Sequence, residues 1–398
     1  MSARVVMVAG AVALLLFAGS VNAQTLTKST FYALTKAQKL IEEEDYGKAV
    51  IQLEALVKKT EGAGYDYARV NQYLAHASLM AGNAKRARQA VEAALTVSVE
   101  DVPPELLLEL KLLYGQMLLG DEEYELARVT LEEWLAGAPK PAANYIFSVG
   151  YANYMTGKLE RSRPLVARAI AESSKPQNSW YQLHYRILMD LKEYREAESV
   201  LYLLITQAPN EKIHWRMLAS HYLQIEDEND ALASLMIAYR QTLIDDTEDL
   251  NRIITLYSMV GVPEKAARLL TGWMEQEKIP TDAETLEMLG NLWLVARERA
   301  EAKTVLQKAA AAGQDGKTYE RLAGIHFEDE EWQEAYKAYR QAYRIGGTEE
   351  PSRVSLLAGI SALRAEMFEE ARDSLETAAK SKKYRQQAER MLQKLSES

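Results

Sequence analysis

The stretch Trp215–Ala238 reads WRMLASHYLQIEDENDALASLMIA, and the fold follows from its pattern. Two runs with apolar residues at helical spacing flank a short acidic segment, which predicts two antiparallel helices joined by a turn. Ala219 and Ala231 are small enough to let the two backbones approach, and Leu235, one turn later, would fill the gap left on the neighbouring hairpin. One hairpin cannot bury its apolar face alone, so the stretch predicts a stack of similar hairpins.

The same pattern recurs along the chain. A small residue occupies the position of Ala231 ten times, at intervals of 33 to 40 residues. These anchor residues are Ala49, Ala87, Ala127, Ser162, Ala197, Ala231, Ala266, Ala302, Ala335 and Ala371. Twelve positions before each anchor lies a second column, which is small except at Tyr185 and Ile254: Ala37, Ala75, Gly115, Gly150, Tyr185, Ala219, Ile254, Gly290, Ala323 and Gly359. We expect the two large residues in this column to widen their helix crossings.

These columns resemble the tetratricopeptide repeat (TPR) family. Trp215, Leu218, Ala219 and Tyr222, followed by the anchor and Leu235, reproduce its pattern W-x2-L-G-x2-Y…A-x3-F with Ala for Gly and Leu for Phe. The resemblance implies an all-α fold, a right-handed TPR superhelical solenoid of about ten helix-turn-helix repeats over residues 24–380. Residues 381–398 would form a C-terminal capping helix and tail. TPR arrays are mostly binding scaffolds, so the resemblance indicates protein partners.

The N-terminus has the features of a secretory signal. Arg4 precedes the apolar run 5–18, and Val21-Asn22-Ala23 fits the small-x-small cleavage rule, so residues 1–23 are predicted to be a signal peptide and the mature chain to begin at Gln24. An uncleaved membrane anchor is the alternative, but the run is shorter than the ~20 residues that span a bilayer. We therefore expect a periplasmic protein of a Gram-negative bacterium, with no stable membrane insertion after cleavage.

Composition and motifs indicate no catalytic, cofactor or metal site and no small-molecule substrate. The formal net charge of −10 argues against nucleic acid and anionic lipid surfaces, and the absence of Cys excludes disulfides. Gly316-Lys317-Thr318 resembles the end of a phosphate loop, but Ala311 replaces the required Gly. His214 and His221 share a helix face without an evident third metal ligand.

The first helices of a TPR superhelix line its concave face at their second, fifth, ninth and twelfth positions. In repeats four to six this rule selects aromatic, amide and guanidinium groups, which can grip an extended peptide. The candidate partner-binding residues are Asn144, Phe147, Tyr151, Tyr154, Gln182, Arg186, Arg216 and Ser220. The alternative is that the aromatic members only cover neighbouring helices.

Acidic clusters recur at the turn inside the repeats, at 42–45, 121–123, 226–228 and 328–331. They could meet a basic partner along one edge. In the alternative interpretation they satisfy free amides at the start of each second helix and interact with its dipole.

The chain as a whole is similar to secreted TPR proteins that are encoded beside the TonB–ExbB–ExbD machinery. The similarity rests on Leu131–Glu132–Glu133–Trp134 through Lys140-Pro141, Trp180–Leu183, Ala238–Arg240 and Gly261–Ala267. It implies a non-catalytic periplasmic adaptor that binds a component of the TonB complex and helps to transmit inner-membrane energy to outer-membrane receptors. The alternative is an envelope assembly scaffold for polysaccharide, pilus or outer-membrane protein biogenesis.

Overall fold

The computed structural model describes residues 25–313 and 315–397. Every regular element in these residues is helical, which confirms the all-α prediction. The predicted signal peptide, residues 1–23, lies outside the described residues. None of the helices described combines the length and apolar character needed to cross a bilayer. The chain divides between Leu204 and Ile205 into two compact units, the N-terminal unit and the C-terminal unit.

The N-terminal unit is built from successive helix pairs. Its helices are α1 (Lys28–Glu42), α2 (Tyr46–Thr60), α3 (Tyr65–Met80), α4 (Ala84–Leu95), α5 (Pro104–Gly120), α6 (Tyr124–Gly137), α7 (Ala143–Met155), α8 (Leu159–Glu172), α9 (Asn178–Asp190) and α10 (Tyr194–Gln207), the last of which contains the boundary. A 3-10 turn, Val99–Asp101, precedes α5. Odd-numbered helices up to α7 pack on the helix that follows, and each pair also packs on the next.

The C-terminal unit repeats this arrangement five times. Its helices are α11 (Lys212–Gln224), α12 (Glu228–Arg240), α13 (Thr247–Met259), α14 (Pro263–Glu275), α15 (Ala283–Val295), α16 (Arg299–Gly313), α17 (Gly316–Glu328), α18 (Trp332–Ile345), α19 (Pro351–Arg364), α20 (Phe368–Ala379) and α21 (Arg385–Glu397). Each odd-numbered helix from α11 to α19 pairs with its successor. The last helix, α21, packs on α20 and contributes Ala388, Met391, Leu392 and Leu395 to a shared apolar cluster.

The predicted repeat register is confirmed by burial. All ten anchor residues are fully buried, and each lies in the second helix of a pair. Ser162 is the one polar anchor, and its hydroxyl donates a hydrogen bond of 2.7 Å to the carbonyl oxygen of Gly150 in the facing helix. A buried hydroxyl needs such a partner, so the hairpin itself satisfies the Ser.

In the repeats whose small site is Gly, the large residue after the anchor packs against that site in its own hairpin. A β-carbon placed on Gly115 would lie 2.5 Å from the side chain of Leu131, and one on Gly290 would lie 2.5 Å from Leu306. Atoms in contact need about 3.5–4.0 Å, so only Gly lets these helices approach so closely. The large residue thus fills the small site of its own hairpin, and Leu131 also joins an apolar cluster with Val149 and Ala152 of α7, in the next hairpin, as expected. The small site that it covers is sixteen positions earlier in the same repeat.

The hairpin of Ile254 is looser than that of Gly290. Ile254 is buried in α13, and α13 and α14 pack less closely than α15 and α16. A branched side chain at the crossing keeps the two backbones apart. The predicted widening at Ile254 is confirmed.

All ten repeats join their helices by the same turn. One residue of each turn has a left-handed backbone, for example Gly82 with φ 76° and Glu226 with φ 61°. The amide of the following residue, such as Asp227, donates to a carbonyl five residues earlier, here that of Tyr222 at 2.8 Å. This is the Schellman motif, which ends one helix and starts the next within three residues.

Candidate functional site

The eight predicted partner-binding residues fall in both units. Six of them, from Asn144 to Arg186, lie on α7 and α9 of the N-terminal unit, whereas Arg216 and Ser220 lie on α11 of the C-terminal unit. Asn144, Gln182, Arg186 and Ser220 are exposed. The described residues give Arg186 no ion pair, so its guanidinium is available to a partner.

The aromatic members of the predicted site contact other helices. Phe147 stacks on Trp180, with ring centroids 4.7 Å apart and planes at 9°. Tyr151 meets Tyr124 edge to face at 6.3 Å, and burial raises the pKa of the Tyr151 hydroxyl. Both rings, like that of Tyr154, remain half-buried. They therefore cover neighbouring helices and also leave one edge accessible.

Arg216 joins two first helices. Its guanidinium donates to the fully buried carboxylate of Asp249 on α13, at 2.6 and 2.9 Å, and to Asp246 at 2.8 Å. The hydrogen bond to Asp249 is the main reason that the pKa of Arg216 is raised. Because a buried carboxylate needs a cation, the principal contact of this residue is internal.

The acidic turns also have partners within the chain. Asp45 and Asp227 cap the second helices, since each side chain accepts the amide of the residue three positions later. Arg88 on α4 binds Asp121 at 2.8 Å together with Glu123, both in the turn of the next repeat. The helix-start interpretation is confirmed for the two Asp caps, and bridging between repeats was not anticipated from the sequence.

Ion pairs connect most neighbouring first helices of the C-terminal unit. They are Arg216–Asp249 between α11 and α13, Glu287–Arg321 between α15 and α17, and Glu320–Arg353 between α17 and α19. The exception is the contact between α13 and α15, where the described residues form no ion pair and no hydrogen bond between side chains. This seam also borders the looser hairpin of Ile254.

A cleft of about 470 Å³ opens at this seam. Its walls come from α13, the start of α14 and one whole face of α15. The lining residues are Ser258, Pro263, Glu284, Glu287, Met288, Asn291, Leu292 and Val295. Ser258, Glu284, Glu287 and Asn291 occupy the positions that the concave-face rule selects, and the cleft thus lies on the face where partner binding was predicted.

The side chains that line the cleft change from acidic to apolar along α15. Glu284 and Glu287 form an acidic end, where Glu287 is bound to Arg321 and to the hydroxyl of Thr318 at 3.1 Å. Asn291 lies between the two ends on α15, and Ser258 lines the cleft from the last turn of α13. The opposite end is apolar, and its Val295 is 71% exposed. Such a surface offers hydrogen bonds, a negative charge and an uncovered apolar area to one ligand.

Sequence reasoning missed this cleft although its signal was present. The position rule was applied to repeats four to six, whereas the cleft belongs to repeats seven and eight. Glu287 and Asn291 occupy the fifth and ninth positions in the first helix of repeat eight. The same rule applied to every repeat would have selected them.

The other motifs of the sequence have structural roles. The described residues contain no group of His, Cys, Asp and Glu that could hold a metal ion. His214 and His221 are buried in α11. Gly316 begins α17, and a β-carbon there would lie 1.9 Å from the carbonyl oxygen of Gly346, so close packing explains this Gly without a phosphate.

Comparison with known proteins gives similar folds at low identity. The chain matches no protein-family model and no curated protein. The MamA protein is 19% identical, over 44% of this chain and 92% of its own, with a TM-score of 0.35. A TPR protein from Parabacteroides merdae ATCC 43184 is 15% identical, over 64% of this chain and 98% of its own, with a TM-score of 0.35. YrrB, a TPR protein with an unusual peptide-binding site, is 17% identical over 50% and 96% of the two chains, with a TM-score of 0.41. These values are low, so the TPR-type fold rests on the helix pairs and buried columns of this chain.

Proposed function

We propose that the protein is a non-catalytic periplasmic scaffold that binds protein partners on the exposed face of its first helices. The observation that supports this most is the cleft between α13 and α15, where acidic, amide and apolar groups are uncovered together. Stacked hairpins hold these groups on packed helices, and a preformed surface loses little entropy on binding. The predicted signal peptide, residues 1–23, supports the periplasmic location.

We further propose that the partner is a component of the TonB–ExbB–ExbD machinery. The support is the resemblance carried by Leu131–Trp134, Trp180–Leu183 and Gly261–Ala267. In this role the protein is an adaptor, which keeps its partner in place while energy passes from the inner membrane to outer-membrane receptors. Contacts confined to neighbouring repeats would allow slight flexing under load.

Site-specific crosslinking in living cells tests both proposals. A photoreactive amino acid replaces Asn291 in the cleft, and a control replaces Glu301, an exposed residue in the first turn of α16. We expect position 291, and not position 301, to capture a TonB, ExbB or ExbD component from the periplasm.

Two other results would contradict the proposal at different levels. Capture of polysaccharide, pilus or outer-membrane protein assembly factors at position 291 would replace the TonB assignment with the assembly scaffold. Capture of no protein there, or equal capture at 301, would overturn partner binding at this face.

A further inference from the structure

We infer that the cleft between α13 and α15 binds an extended segment of a partner protein. In this segment a Lys or Arg and an apolar residue are about five residues apart, in either order. This inference rests on the proposed scaffold function and adds the chemistry of the partner. The described residues that line the cleft include two carboxylates and no Lys or Arg, so its charge favours a cation.

Glu284 is the group that would bind this cation. It is exposed in the first turn of α15, and the described residues give it no ion pair or hydrogen bond through its side chain. Glu287, one turn further, already holds Arg321. A basic side chain of the partner therefore finds one free carboxylate and a second one beside it, at the end of the cleft.

The opposite end would bind an apolar side chain. Val295 is 71% exposed, and the neighbouring Met259 and Val262 are 53% and 40% exposed. Together with Pro263 in the cleft wall they form an uncovered apolar area near the ends of α13 and α15, above the buried Leu292. Removing this area from water favours binding. The acidic end determines which end of the segment, the one with the Lys or Arg, lies beside Glu284.

The dimensions select an extended chain. From Glu284 to Val295 the α15 face runs about 16 Å, at 1.5 Å per residue, and an extended chain covers that length in about five residues. A cleft of about 470 Å³ lies along this face, and its length matches that of the extended segment.

The middle of the cleft matches a peptide backbone. Asn291 carries a donor and an acceptor, and the Ser258 hydroxyl, which donates to the carbonyl oxygen of Ile254 at 3.2 Å, can accept. An extended chain has free N–H and C=O groups between its side chains, and these need partners when they leave water. The polar centre therefore suits any sequence between the basic and the apolar residue.

A hexapeptide array tests the inference. Each peptide carries one Arg or Glu and one Leu in a background of Ser, at every separation, and the fluorescently labelled protein is applied to the array. We expect at least tenfold stronger binding to peptides with Arg and Leu four or five positions apart than to their Glu counterparts. Binding that ignores the Arg, or no binding to any peptide, would overturn the inference.

Charge-reversal variants of the protein test whether the peptides bind in the cleft. Glu284→Lys should reverse the preference from Arg to Glu peptides by at least tenfold, and Val295→Asp should weaken binding to all of them. Glu301→Lys makes the same change of charge on α16 and should keep the preference for Arg. An unchanged preference in Glu284→Lys would remove this cleft from consideration. If the peptides show no preference for Arg, or none binds, while position 291 still captures a protein in cells, then only the inferred partner chemistry is wrong and the scaffold function stands.

Discussion

The close approach at Gly290 can be tested by adding a single methyl group. In Gly290→Ala the new β-carbon would lie 2.5 and 2.6 Å from two carbons of Leu306, a fully buried side chain. Normal contact needs about 3.5–4.0 Å, so either the Leu306 side chain or one of the two helices must shift by about 1 Å. Overpacking of this kind costs about 1–3 kcal/mol.

A matched variant removes the effect of helix propensity. Ala is more favourable than Gly in a helix interior by about 1 kcal/mol, which would mask part of the cost. Gly324 lies inside the first helix of the next repeat, and a β-carbon there would meet only the Tyr339 hydroxyl, at 4.0 Å. We therefore expect Gly324→Ala to stabilise the protein and Gly290→Ala to be less stable than it by about 1–3 kcal/mol.

Urea unfolding followed by circular dichroism measures this difference. Because repeat arrays can unfold in several steps, hydrogen exchange of the α15 and α17 amides provides the local comparison. Equal effects of the two substitutions would refute the reasoning. They would show that the hairpin opens to hold Ala, as the repeat with Ala219 opposite Leu235 already does.

Three further predictions concern single side chains. Arg216→Met removes the hydrogen-bonded cation of the buried Asp249 carboxylate and leaves only Arg252, at 4.0 Å. We therefore expect a loss of about 3 kcal/mol in urea unfolding, largely recovered when Asp249→Leu is added; a single variant as stable as the parent would contradict this. Glu226→Gly removes a left-handed backbone cost of about 1–2 kcal/mol but also increases the entropy of the unfolded chain, so the Tm should be unchanged or slightly higher. Gly82→Ala should lower the Tm. A lower Tm for Glu226→Gly would show that this turn is not strained. Burial lowers the pKa of the His76 imidazole below its ordinary 6.5. At a pH near 6.5 the unfolded chain therefore binds more protons than the folded protein, and stability is lost as the pH falls from about 6.5 towards the folded-state pKa. His76→Gln should therefore flatten the dependence of Tm on pH between 7 and 5, and an unchanged slope would rule out this residue as a source of acid instability.

The sequence alone could predict which residues of each repeat belong to the candidate site, from their positions in the first helix. The concave-face rule needs only the repeat register, and that register is visible in the anchor residues, which burial confirmed without exception. The rule gives the helix face of Glu284, Glu287 and Asn291 as readily as that of Arg186. It cannot show that Arg216 is already bound to Asp249, because that contact joins residues 33 positions apart.

The sequence by itself determined the helices, the repeats and the face that each helix buries. These depend on local spacing, since small and large residues a few turns apart decide how two adjacent helices cross. Only the tertiary structure decided which of the exposed faces remains open. Among the residues that the structure describes, the seam between α13 and α15 has no ion pair of the kind found at its neighbours, and it borders the hairpin of Ile254. Both features arise from pairing between different repeats, and pairing at that range depends on distances that a linear pattern does not contain.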